Sequence, residues 1–163
     1  MAQYAWAPQE GPQYSFVRCP FFDALLGGAR GGGKSDGCLG DFAIHAKRYG
    51  KGARGVFMRR EMPQADSLID RSLDIFGPMG WEWKKQDRQW LSPEGALLRF
   101  RPLEDDRDAE KYQGQNYTRV YAEELTNWHS PRAPDKMKAT LRSAQGVPCG
   151  FRATANPGGP GHH

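Results

Sequence analysis

Residues 28–35 read Gly-Ala-Arg-Gly-Gly-Gly-Lys-Ser, a match to G-x-x-x-x-G-K-[ST], and no other stretch of the 163 residues constrains the fold as strongly. An apolar run, DALLGG at 23–28, leads into it. Beyond it, Leu39, Phe42, Ala43, Ala46 and Tyr49 recur at helical spacing. A strand, a glycine loop and a helix in that order make a phosphate cradle. The glycines let backbone N–H groups turn inward, and the helix N-terminus adds partial positive charge. Gly28, Ala29, Arg30, Gly31, Gly32, Gly33, Lys34 and Ser35 are therefore the expected nucleotide-binding set. Lys34 is expected to reach the β- and γ-phosphates of a nucleotide, and the Ser35 hydroxyl to ligate Mg2+. The competing reading is a flexible glycine-rich turn carrying an incidental lysine.

The remaining pattern surrounds this loop with alternating strands and helices. The prolines of residues 1–22 predict a mostly extended or irregular start. A buried strand is expected at 23–28, a helix at 34–49 and a strand at 54–60. Pro63 opens a helix to about Phe76, with Leu68, Ile69, Leu73 and Ile75 as its apolar set. Residues 81–102 predict antiparallel strands around a PEG turn. Residues 103–116 read as a polar loop, 117–122 as a strand, 134–144 as a helix and 148–154 as a last strand. The expected fold class is α/β, a mostly parallel sheet flanked by helices with an antiparallel insertion around 81–102, forming one domain over 1–163.

Composition narrows the classes of function. Aromatic residues make up 12% of the chain, enough rings to build a core and too many for a disordered polymer. No run approaches the roughly 18 apolar residues that a membrane span needs. The first residues carry neither the basic nor the apolar region of a secretory signal. Cys19, Cys38 and Cys149 are scattered, which supports neither a disulfide framework nor a zinc ribbon and points to a reducing compartment. Net charge is +4, which permits contact with nucleic acid. Lys47, Arg48, Lys51, Arg54, Arg59 and Arg60 concentrate that charge, either to track DNA phosphates or as a solvated surface.

A second carboxylate site is needed for Mg2+ chemistry, and VYAEE at 120–124 supplies it. An apolar strand ends in two acids. Glu123 is expected at the metal, and Glu124 is expected to polarise the attacking water. The first acid in this role is usually Asp, and the extra methylene of Glu123 moves its carboxylate outward by about one bond.

Together, GGARGGGKS at 27–35, YQGQNYTRVYAEELTNW at 112–128 and RATANPGGPG at 152–161 resemble the ATPase domain of bacteriophage terminase large subunits. The resemblance implies a RecA-like P-loop fold and an ATP-hydrolysing motor that drives double-stranded DNA into procapsids. It implies that Gln13 lies near the adenine and that Arg30 senses the γ-phosphate. It further implies that Thr154 and Asn156 form the coupling motif. Such motors work as rings, so a neighbouring copy is expected to supply a cation, with Arg107 and Lys111 as candidates. A small terminase subunit and the portal are the implied partners, and the host cytoplasm the implied location. Large terminases continue into an RNase H-like nuclease. No spaced Asp cluster for one occurs here, so an ATPase domain incomplete at its C-terminal side and without nuclease activity is expected. A nucleotide-binding fragment without turnover, and another P-loop enzyme such as a helicase or small-molecule kinase, are the alternative readings.

Overall fold

The computed structural model describes residues 6–28 and 33–161. Among these, seven strands form one sheet in the order β1-β7-β6-β2-β5-β4-β3. The strands are β1 (Asp23–Gly27), β2 (Arg54–Arg59), β3 (Glu82–Lys84), β4 (Gln89–Leu91), β5 (Leu97–Pro102), β6 (Arg119–Ala122) and β7 (Gly150–Ala155). β1, β7, β6, β2 and β5 pair in parallel, and β4 and β3 extend the sheet antiparallel beyond β5. The helices are α1 (Pro12–Val17), α2 (Lys34–Tyr49), α3 (Asp66–Phe76), α4 (Asp106–Lys111) and α5 (Arg132–Met137). The expected fold class therefore holds.

β2 lies at the centre of the sheet and is buried on both faces. Phe57 points to one face and stacks on Phe100 and Tyr121 with ring centroids 5.7 and 5.2 Å apart. Phe42 and Leu39 of α2 and Ile75 and Phe76 of α3 complete that layer. Val56 and Met58 point to the other face, among Val120, Ala122, Phe151 and Ala153, under Ala109 of α4 and Met137 of α5. A strand buried on both faces needs a continuous apolar run, and Gly55-Val-Phe-Met58 is one. Gly40, in mid-helix, is a close-approach position. A Cβ there would overlap the ring of Trp6, so the helix gives up propensity at Gly40 to let that ring lie on it.

Several expectations change. The start of the chain is not irregular throughout. Pro12 occupies the first turn of α1, where its missing N–H costs nothing. β1 is not a buried strand, because it forms the sheet edge among the described residues; Leu26 is buried while Leu25 is 59% exposed. The helix after Pro63 begins as a 3-10 turn at Met62–Ala65 and becomes α-helical at Asp66. Leu73 of that helix is exposed, and Phe76 is buried in its place. The polar stretch 103–116 contains α4. Asp105 caps it by accepting from the backbone N–H groups of Arg107 and Asp108 at 2.8 and 3.1 Å. The helix expected at 134–144 is shorter, running from Arg132 to Met137 and then as a 3-10 turn to Thr140. It stops because the Thr140 carbonyl accepts from Tyr117 N–H at 2.8 Å, and Leu141 bridges to Tyr117.

Candidate functional site

The parallel register decides where chemistry collects. Leu26 pairs with Thr154, Met58 with Ala122, and Ala122 with Ala153, so β1, β2, β6 and β7 end at one edge. The residues that follow those ends converge there, as expected for an open α/β sheet.

Gly33 closes the glycine loop in the left-handed region with φ 66°, which Gly adopts without the steric cost of a side chain. Lys34 opens α2 and donates from Nζ to the Gly28 carbonyl at 3.0 Å, reaching back across the mouth of the loop. Ala29, Arg30, Gly31 and Gly32 lie outside the described residues. Ser35 Oγ donates to Glu123 Oε1, joining the loop's helix to the end of β6. The Glu side chain thus reaches Ser35 itself. Arg59, at the end of β2, donates from Nε to Glu123 Oε2 at 2.5 Å, and its Nη2 lies 3.4 Å from Glu124 Oε1. Glu123 is buried, and burial pushes its carboxyl above the usual value; Arg59 and the Ser35 hydroxyl act in the opposite direction.

Glu124 has φ 55°, an uncommon conformation for a residue with a Cβ. Further contacts hold it. Its backbone N–H donates to Thr154 Oγ1 at 3.0 Å, and Asn127 Nδ2 donates to its Oε2 at 2.8 Å. Asn156 Nδ2 lies 3.5 Å from Glu124 Oε1, and the Asn156 carbonyl accepts from Thr126 Oγ1 at 2.8 Å. Thr154 and Asn156 therefore touch Glu124 directly. The Asn156 side-chain oxygen is buried without a hydrogen-bond partner.

Gln13 is buried on α1. Its Nε2 donates to the Gly33 carbonyl at 2.7 Å, and its Oε1 accepts from Gln9 N–H at 2.6 Å. Both ends of its amide are engaged, with one bracing the end of the loop. Arg107 and Lys111 sit on α4 and are not brought to this cluster. Lys111 Nζ pairs with Asp108 at 2.5 Å, while Arg107 is exposed. The basic run 47–60 is not one surface. Lys47, Arg48, Lys51 and Arg54 lie towards the start of β2, and Arg59 and Arg60 lie at its far end. Arg59 and Asn127 are the site residues that motif reading missed. The signal was present for Arg59, which follows the apolar run of β2 as Glu123 follows that of β6.

The residues fit a small divalent cation in chemistry. A hydroxyl and a carboxylate are hard oxygen donors, and their direct hydrogen bond shows that both can address one point.

Three phage packaging proteins share the fold. The large terminase of a thermophilic bacteriophage aligns with a TM-score of 0.75 at 12% identity, covering 96% of this chain and 41% of that one. The N-terminal domain of the DNA packaging ATPase from bacteriophage phi29 aligns at 0.63 and 17% identity, covering 89% and 77%. The ATPase domain of the Thermus phage P74-26 large terminase aligns at 0.60 and 12%, covering 91% and 66%. The chain thus spans about two fifths of the first of these proteins. No curated protein sequence matches it. The family model for the terminase large subunit, T4likevirus-type, N-terminal, matches residues 25–158, and the chain belongs to that family.

Proposed function

We propose that this chain binds ATP with Mg2+ at the C-terminal ends of its parallel strands and hydrolyses it to drive DNA packaging. The observation that carries the reading is the Ser35–Glu123 contact, with Glu124 held beside it. It joins the glycine loop to the acid pair across two strands. The large terminase of the thermophilic bacteriophage in complex with ADP, which aligns at a TM-score of 0.72 and 12% identity, supports a nucleotide in this fold.

Lys34 and the loop N–H groups bind the phosphates. Ser35 and Glu123 would hold Mg2+, which when bound supplies charge neutralisation on the β- and γ-phosphoryl oxygens. Arg59 pairs with Glu123 and would have to release that carboxylate for Ser35 and Glu123 to hold Mg2+. Glu124 accepts the proton of the attacking water or orients it, and Thr154 and Asn127 fix its position. Thr154 and Asn156 transmit nucleotide state through their contacts to Glu124. Gln13 acts on the loop through Gly33. Arg30 senses the γ-phosphate within the same copy. In a homo-oligomeric ring, Arg107 or Lys111 of a neighbouring copy supplies the further cation. Double-stranded DNA, a small terminase subunit and the portal are the partners, and the host cytoplasm the location. No helix among the described residues is long and apolar enough to cross a membrane.

Phosphate release and ATP binding, measured with and without DNA, test the reading. Glu124→Gln is expected to keep ATP binding and to lose hydrolysis by at least about a hundredfold. Full turnover by that variant would remove Glu124 from the chemistry. Binding without turnover by the unsubstituted chain would leave a nucleotide-binding fragment. For the neighbour's cation, mixing Lys34→Ala chains with Arg107→Ala or Lys111→Ala chains is expected to restore activity that neither shows alone. Turnover linear in protein concentration would leave Arg30 as the cation.

A further inference from the structure

The opposite ends of the same strands carry a second feature, which the ATPase reading does not use. A cleft of about 690 Å³ opens between α1 and α2, floored by the starts of β6 and β7. Small-molecule sites occupy about 300–1,000 Å³. Four arginines line it, Arg18, Arg48, Arg119 and Arg152, against one carboxylate, Asp41.

That carboxylate is already engaged. Asp41 Oδ2 lies 3.4 Å from Arg119 Nε and accepts from Tyr121 Oη at 2.6 Å. Arg152 is 2% exposed and has no carboxylate within ion-pair distance among the described residues. Its Nη1 donates to the carbonyls of Phe21 and Phe22 at 3.1 and 2.9 Å, and its Nη2 to that of Cys19 at 3.2 Å. Its Nε is buried with no partner, as is Nδ1 of His45, which is 3% exposed. Buried charge is ordinarily paired, so an arginine solvated by carbonyls alone leaves the cleft strongly positive. His45 adds no positive charge. Burial, and then Arg119, Arg152 and Arg48, pull its pKa down to about 3. Arg18 and Arg48 stand exposed at the mouth, and Arg18 lies 5.1 Å from the centroid of the Tyr14 ring. Phe21, 72% exposed, forms part of the same rim.

We propose that this cleft binds a small phosphomonoester carrying an organic ring, at a site separate from the glycine loop. Three charges in excess call for more than one carboxylate, and a phosphomonoester brings about −1.5 to −2 at neutral pH. Arginine forks match its oxygens bidentately. The volume exceeds what inorganic phosphate fills, and Tyr14, Tyr49 and Phe21 supply faces for a ring.

Calorimetric titration of the full chain with phenyl phosphate at low salt tests this. Saturable binding is expected, weakened at least about tenfold by Arg48→Ala and again by Arg18→Ala, because each removes a cation from the mouth of the cleft. Both side chains are exposed, so these variants keep the test readable where Arg152→Met could fail to fold. Lys34→Ala is expected to leave the Arg48-dependent binding of phenyl phosphate in place, since the Lys34 side chain serves the other end of the sheet. Absence of saturable binding overturns the proposal. So does loss in Lys34→Ala with Arg48→Ala unaffected, which would place the probe in the glycine loop. Equal affinity for inorganic phosphate overturns the part assigned to the ring, and equal affinity for benzoate overturns the preference for phosphate.

Discussion

At the C-terminal ends of β2 and β6, Glu123 is buried beside Arg59 at 2.5 Å; at the start of β7, Arg152 is buried beside backbone carbonyls alone. Both ends withdraw charge from water, and the desolvation cost is of the same kind. The first end offsets it with an opposite charge from a neighbouring strand. The second offsets only part of it, with dipoles. A carboxylate paired within the chain would take up a metal ion only by exchanging its partner. An arginine without a carboxylate calls for an anion from outside. One sheet thus presents two charged sites with opposite demands on a ligand.

The comparison breaks first at Arg59. Arg59→Met leaves Glu123 buried without its counter-charge, and unfolding by denaturant is expected to show a loss of about 3–5 kcal/mol. Adding Glu123→Gln to that variant is expected to recover much of the loss, because no charge then remains to be paired. A loss of a few tenths would mean that Glu123 is solvated in place, and the contrast between the two ends would fade.

Next comes Lys34. Its ammonium bridges the mouth of the loop at the Gly28 carbonyl, and Lys34→Ala is expected to weaken Mg-ATP binding by about 2–4 kcal/mol in calorimetry. Unchanged affinity would sink the nucleotide assignment at that end while leaving the arginine cleft untouched.

The smallest effect, taken per pH unit, is a pH slope from the other end. His45 titrates near 6.5 when unfolded and near 3 when folded, so between those values the unfolded chain binds the extra proton. Its contribution to stability is complete above pH 6.5 and declines as pH falls toward 3, by at most about 1.4 kcal/mol per pH unit. His45→Gln is expected to remove one proton's worth of that slope in denaturant titrations at several pH values. Glu123 acts with the opposite sign. Its raised value makes the folded chain bind the proton more readily, so its contribution to stability falls as pH rises above the ordinary carboxylate range. An unchanged slope in His45→Gln would show that the imidazole charges in place.

Much of the candidate site at the C-terminal ends of the strands was legible because its parts are local. A strand, glycine loop and helix announce themselves in consecutive residues, and Glu123 and Glu124 close an apolar strand. Arg59 was not legible as a partner of those acids, since it stands 64 residues away from Glu123 and meets them only through the pairing of β2 with β6. α4 escaped because it shows a cap at Asp105 but too few turns for apolar periodicity to register. The edge position of β1 escaped because an apolar run reads the same whether one flank of the strand is paired or both.

What the residues determined alone is chemistry with short range: where backbone can turn, which stretches alternate, which helix begins after the loop. Those follow from sterics and hydrogen bonding within a few positions. Tertiary structure decided which charges became partners. Glu123 took Arg59, Asp41 took Arg119 and Tyr121, and Arg152 was left to carbonyls. Coulomb energies in a poorly polarisable interior depend on distance and burial, and neither exists until the strands have chosen their order.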